Sequence, residues 1–69
     1  MYKQFRSRGE LVTDCILRVA DQAYIPYDTA NTDYQNFKKQ INADEAQLED
    51  ADGNLMSPEQ AKAYVATLP

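Results

Sequence analysis

Four acidic residues in the second half of the sequence are the side chains best suited to chemistry. They are Asp44, Glu45, Glu49 and Asp50. Paired carboxylates can do acid–base catalysis when their surroundings shift their pKa values. The neighbouring residues are polar, so the sequence predicts ordinary solvated carboxylates. The chain has no histidine, which excludes a Ser-His-Asp triad, a Cys-His pair and a histidine-ligated metal. We therefore predict a non-enzymatic protein.

The acidic turn that begins at Asp50 has the composition of a calcium-binding loop. If Gly53 takes the sixth position of such a loop, Asp50 and Asp52 fall on positions three and five. Glu59 then falls on the twelfth position. The first position, where a carboxylate ligand is needed, is Leu48. An acidic turn between two secondary elements is the favoured interpretation, and no metal or cofactor is expected.

The net charge and hydropathy of the chain limit the classes of partner that it can bind. The 69 residues have a formal net charge of -4 and a pI of about 4.5. Nucleic-acid binding is not expected, because it usually needs a basic surface. Residues 43–59 carry acidic side chains and no basic ones. The favoured interpretation is a solvated face, and the alternative is a 44–59 surface that docks a basic protein. No apolar stretch approaches the ~20 residues of a membrane span, so no membrane association is expected.

Two tyrosines flank Ile25-Pro26 and are candidates for contact with a partner. Tyr24 and Tyr27 could close the core over a strand–helix junction, each with its hydroxyl at the surface. Alternatively they form an aromatic contact patch, since tyrosine is enriched at interfaces. Both uses are compatible. A chain this small often supplements its core by self-association, so the sequence also predicts a homo-oligomer.

The first third of the sequence predicts strands. Residues 11–19 alternate, with Leu11, Cys15, Leu17 and Val19 on one face and Val12, Asp14, Ile16 and Arg18 on the other. Cys15 is therefore expected to be an inert core thiol. Residues 2–6 form the expected partner strand, and residues 7–10 the turn, with Gly9 at positive φ. Residues 23–26 are a short extended piece at a sheet edge, because Pro26 has no N–H to donate.

The sequence of residues 28–69 predicts two helices. Asp28 or Asn31 could cap the first, whose apolar stripe is Tyr34, Phe37 and Ile41 and whose end is expected at Asn42 or Ala43. Ser57, Pro58 and Gln60 predict a capped second helix from Pro58 to about Thr67. The predicted fold is a single α+β domain over residues 1–69. It has an N-terminal antiparallel β-hairpin or three-strand meander over 1–27, then two short α-helices in 28–69 with an acidic turn at 49–54.

Residues 18–37 resemble a segment that recurs in another group of proteins. They read R-V-A-D-Q-A-Y-I-P-Y-D-T-A-N-T-D-Y-Q-N-F. The string resembles a segment of small tailed-bacteriophage proteins, approximately R-L-x-D-x-A-x-I-P-x-D-x-x-N-x-D-Y-x-x-[FY], which are often encoded near tail-fibre genes. The matching positions are Arg18, Asp21, Ala23, Ile25, Pro26, Asp28, Asn31, Asp33, Tyr34 and Phe37. Where those proteins often continue with an apolar residue and a Trp, this chain has Lys38-Lys39-Gln40.

The resemblance implies a bacteriophage protein in the host cytoplasm, or associated with the virion. The first hypothesis is a structural or accessory protein that acts by protein–protein contact, with itself or with a phage or host protein. The alternative is a small phage effector that binds a host protein through its acidic 44–59 face. The candidate contact residues are Tyr24, Tyr27, Asp44, Glu45, Glu49 and Asp50.

Overall fold

A computed structural model describes residues 1–69 as six strands and two helices. The strands are β1 (Tyr2–Lys3), β2 (Arg6–Ser7), β3 (Glu10–Leu11), β4 (Cys15–Arg18), β5 (Ala23–Pro26) and β6 (Leu48–Glu49), and the helices are α1 (Thr32–Asn42) and α2 (Pro58–Ala66). A four-stranded sheet has the order β5-β4-β1-β6, and β2 and β3 form a separate hairpin. The predicted α+β fold, with N-terminal strands followed by two helices, is confirmed. No helix has both the length and the apolar character needed to cross a membrane.

The N-terminal hairpin turns at Arg8 and Gly9. Their φ angles are +54° and +80°, which is the pattern of the type I′ turn that suits a two-residue hairpin loop. Gly9 adopts positive φ without a Cβ clash, as predicted. The strand predicted over residues 11–19 is shorter than expected. It is divided into β3 and β4, and residues 12–14 between them lie outside both strands.

The face of β4 that enters the core is the one with Ile16. Ile16 is fully buried, whereas Cys15 and Leu17 are half-buried and Val19 is 40% exposed. The expectation that Cys15 is a core thiol is therefore wrong. Partial burial, and then the neighbouring Asp14 carboxylate, raise the pKa of the Cys15 thiol. The thiol stays protonated near neutral pH, so it remains a poor nucleophile.

The strand β6 was not predicted as part of the sheet. It pairs in parallel with β1, with Tyr2 opposite Leu48, and the Tyr2 N–H donates to the Gln47 carbonyl at 2.9 Å. Leu48 is fully buried. Residues 28–69 therefore contain a strand in addition to the two helices. On either side of the acidic turn, Glu49 and Leu55 meet in an antiparallel bridge.

Helix α1 begins and ends where the sequence indicates. Asn31 is its N-cap, and the Asn31 side-chain oxygen accepts from the Tyr34 N–H at 3.0 Å. The helix ends at Asn42, with Ala43 as the C-cap. Tyr34, Phe37 and Ile41 are all buried, as the spacing predicts.

Helix α2 begins with a complete capping box at Ser57. The Ser57 hydroxyl accepts from the Gln60 N–H at 3.2 Å, and the Ser57 N–H donates to the Gln60 side chain at 3.0 Å. We expect Ser57→Ala to lower the free energy of unfolding by about 1 kcal/mol, because the Gln60 N–H loses its side-chain acceptor at the helix start. Urea unfolding of the two proteins measures this difference. An unchanged midpoint would contradict it.

The core lies between the sheet and the two helices. Its nine buried apolar residues are Tyr2, Ile16, Ile25, Tyr34, Phe37, Ile41, Leu48, Ala61 and Val65. Phe37 is at the centre of an aromatic cluster, with its ring centroid 4.7 Å from that of Tyr2. The rings of Tyr27 and Tyr34 also contact Phe37. Aromatic pairs in such arrangements add stability beyond the area they bury.

Residues 18–37 join the sheet to α1. The Arg18 guanidinium binds the Asp21 carboxylate at 2.7 Å and the Asp33 carboxylate at 3.1 Å. The Asp28 side chain accepts from the Ala30 N–H at 3.0 Å, which closes the turn before the helix. With Ile25, Tyr34 and Phe37 buried and Asn31 as the N-cap, this string of residues is explained by the needs of the fold.

The Arg18–Asp21 pair makes stability depend on pH. The hydrogen bond from Arg18 lowers the pKa of Asp21 from its ordinary value of 3.8 to about 2. A carboxyl with a lowered folded pKa contributes stability above its unfolded pKa and loses it as pH falls through the folded pKa. Asp21→Asn is therefore expected to be less stable than wild type at pH 6. The difference should shrink as the pH falls toward 2, as thermal unfolding of both proteins can measure. A difference independent of pH would contradict this.

Candidate protein-interaction surface

One face of the four-stranded sheet has no helix packed on it. Residues paired directly across strands point to the same face. The pairings Tyr24–Leu17, Leu17–Lys3 and Lys3–Glu49 therefore place these four side chains in one row across the sheet. This row lies opposite the core face that carries Ile16 and Ile25. We call this side of the sheet the open face. Its residues are Lys3, Phe5, Cys15, Leu17, Tyr24, Pro26 and Glu49.

The open face has an aromatic end. The Tyr24 side chain is 65% exposed. Its ring lies edge-on to the ring of Phe5, with 5.0 Å between centroids. Leu17, in the adjacent strand, is half-buried beside them. Tyr24 is therefore exposed on the open face, in contact with Phe5.

Tyr27 belongs to the core side of the molecule. Its ring centroid is 5.4 Å from that of Tyr34, and its hydroxyl is 2.8 Å from the hydroxyl of Tyr64. Burial, and then the hydrogen bond with Tyr64, raise the pKa of Tyr27. The structure thus does not bring Tyr24 and Tyr27 together: Tyr27 closes the core, and Tyr24 lies on the open face.

The opposite end of the open face carries one cation and one anion. Lys3 and Glu49 are both half-buried and occupy paired positions on β1 and β6. Neither forms a salt bridge, since the chain's ion pairs use Arg6, Arg18 and Lys62 as cations. The open face is therefore neutral overall, although the chain has a net charge of -4.

The acidic residues do not form one continuous free surface. Asp44 pairs with Lys62 at 3.0 Å, and Asp52 pairs with Arg6. The Asp50 carboxylate accepts from the backbone N–H groups of Asn54 and Asp52, both at 2.9 Å, and these bonds lower its pKa. In the predicted 44–59 face, the exposed carboxylates without a salt bridge are those of Glu45 and Glu59.

A small cleft lies beside the acidic residues, between the end of α1, β6 and the start of α2. It has a volume of about 180 Å³, and its apolar lining includes Ile41, Leu48, Met56 and Ala61. Asp44 lies at its rim. This volume is below the ~300 Å³ at which small-molecule sites begin.

The acidic turn is a structural turn. The Asp50 side chain already satisfies the backbone donors that shape it, and Leu48, at the first position of a calcium loop, is buried in the core. No group of three or more Cys, Asp or Glu side chains is arranged to hold a metal ion. Three of the four candidate carboxylates lie in different places: Asp44 at the rim of the cleft, Glu49 on the open face and Asp50 in the turn.

Three open-face residues, Lys3, Phe5 and Leu17, were not singled out by the sequence. The alternation of residues 11–19 placed Leu17 and Cys15 on one face, which was the available signal. Only the position of the helices decides that this face is uncovered. Comparisons with protein-family models, curated proteins and solved structures found no match to the chain.

Proposed function

We propose that this chain is a non-enzymatic bacteriophage protein, structural or accessory, that acts by protein–protein contact through its open face. The proposal rests on the exposure of Tyr24. Its side chain is 65% exposed and contacts Phe5 on a sheet face that no helix covers. Exposed aromatic residues on an apolar surface are typical of binding sites. The phage assignment rests on the resemblance of residues 18–37 and places the protein in the host cytoplasm or on the virion.

A second function is favoured by the cleft. In this alternative the chain is a small phage effector that binds a host protein through the acidic 44–59 face. Asp44 lies at the rim of the apolar cleft, and the exposed Glu45 is adjacent to it in the chain. A basic partner could insert an apolar side chain into the cleft and place a positive charge near Glu45.

One capture experiment tests both functions. The tagged chain is purified from phage-infected cells, and the bound proteins are quantified by mass spectrometry for wild type, Tyr24→Ser and the double variant Asp44→Asn/Glu45→Gln. The open-face proposal predicts that Tyr24→Ser loses the partner by at least ~10-fold, as for an interface hot spot, while the double variant keeps it. The effector alternative predicts the reverse. Capture that neither variant reduces would contradict both.

The virion assignment has its own test. A structural protein is expected in particles purified by density gradient and analysed by mass spectrometry. Its absence from such particles would contradict the structural role and leave the accessory one.

A further inference from the structure

We propose that a second copy of this chain covers the open face, in a two-fold dimer in which Lys3 of each copy meets Glu49 of the other. This inference rests on the proposed function, because it names a partner for the same surface. A two-fold interface brings the same patch of both copies together, so that patch must complement itself. The open face meets this condition, since it is neutral and carries one unpaired cation and one unpaired anion.

The order of the strands explains how the copies fit. Along the row Tyr24–Leu17–Lys3–Glu49, the apolar pair lies at one end and the charged pair at the other. If the two-fold axis lies between the two sheets and runs perpendicular to the strands, the Tyr24–Leu17 end of one copy packs on the same end of the other. The Lys3–Glu49 ends of the two copies then also meet. Strands are spaced ~4.8 Å apart and packed sheets ~10 Å apart. The long Lys3 side chain can therefore reach diagonally to Glu49 of the second copy.

Pairing through the sheet edges is less suitable than pairing through the face. At the β5 edge, Pro26 has no N–H, and the Pro26 carbonyl already accepts from the Asp28 N–H at 2.9 Å. At the opposite edge, Leu55 bridges to Glu49 and covers β6. Both edges are short and blocked, which is how proteins prevent edge-to-edge association.

The size of the open face sets the strength of the dimer. Two strands of four residues and two strands of two residues present at most roughly 400 Å² per copy. The two copies together bury about 800 Å², below the ~1,200 Å² of a stable interface. The dimer is therefore a weak one, which forms at high concentration and dissociates on dilution.

Sedimentation equilibrium from about 10 µM to about 1 mM tests the dimer. The wild type is expected to change from monomer to dimer over this range. Lys3→Glu and Glu49→Lys are each expected to weaken the dimer at least ~10-fold, because each variant places like charges opposite one another. Lys39→Glu, on the exposed side of α1, makes the same change in net charge as Lys3→Glu and is the matched control for that variant, with no expected effect. Circular dichroism confirms that each variant is folded.

An equimolar mixture of Lys3→Glu and Glu49→Lys tests the proposed contact most directly. In the mixed dimer, two glutamates of one copy face two lysines of the other, so association is expected to recover to near the wild-type level. A wild type that is monomeric at ~1 mM, or a mixture that associates no better than its components, would overturn the inference. If the dimer fails while Tyr24→Ser still abolishes partner capture, the proposed function stands without it.

Discussion

Phe37→Ala is expected to lower the midpoint of thermal unfolding steeply, because it removes the ring at the centre of the core. Phe37 is fully buried, and the rings of Tyr2, Tyr27 and Tyr34 pack against it. Removing a buried phenylalanine ring costs about 3–5 kcal/mol. A chain of this length has a total stability of roughly 3–10 kcal/mol, so the loss takes away a third of it or more. Thermal unfolding followed by circular dichroism measures the effect.

Phe5→Ala is the matched control. It removes the same ring from the open face, where Phe5 is half-buried and contacts Tyr24. Less apolar area returns to water, so the expected loss is at most about half that of Phe37→Ala. Equal losses for the two variants would contradict the assignment of one ring to the core and the other to the surface.

Leu48→Ala is expected to lower the free energy of unfolding by about 2–5 kcal/mol. Leu48 is fully buried, and its strand β6 pairs in parallel with β1. The substitution leaves a cavity under that pairing, and the chain between the two helices loses its main apolar contact with the core. Urea denaturation measures the change.

Leu55→Ala is the control for that variant. Leu55 is 54% exposed, and its loss is expected to stay within about 0.5 kcal/mol, as is usual for surface substitutions. If Leu55→Ala were as costly as Leu48→Ala, the position of β6 in the core would be wrong.

Both helices could be predicted from the sequence because their signals are local. Ser57, Pro58 and Gln60 satisfy the backbone at the start of α2 whatever surrounds it, and the structure has the complete capping box. Asn31 does the same for α1. The spacing of Tyr34, Phe37 and Ile41 then identifies the buried stripe, because only one side of a helix can face the core.

The sheet could not be predicted fully because its pairing is not local. Two residues, Leu48 and Glu49, are too few to show a period, and their partner β1 lies more than forty residues earlier. The alternation of residues 11–19 gave two apolar faces without deciding which one the helices cover. The structure resolves this at Ile16, which faces the core.

The candidate site could be predicted only in part, because contacts between residues far apart in sequence decide on which surface each side chain lies. Tyr24 and Tyr27 are three residues apart, and the break after Pro26 separates them, so that one lies on the open face and the other packs in the core. The acidic residues are close together in sequence, yet their hydrogen bonds and ion pairs divide them. Asp44 binds Lys62, and Asp50 binds the backbone of its own turn.

Site-specific photo-crosslinking tests most directly whether the open face is the surface at which this chain contacts other proteins. A benzoylphenylalanine is placed at Tyr24, and in a second protein at Lys39, which is exposed on α1. Both proteins are irradiated in phage-infected cells. We predict a discrete protein adduct, with a second copy or another protein, from position 24 and none from position 39. Adducts from position 39 alone, or equal adducts from both, would contradict the account.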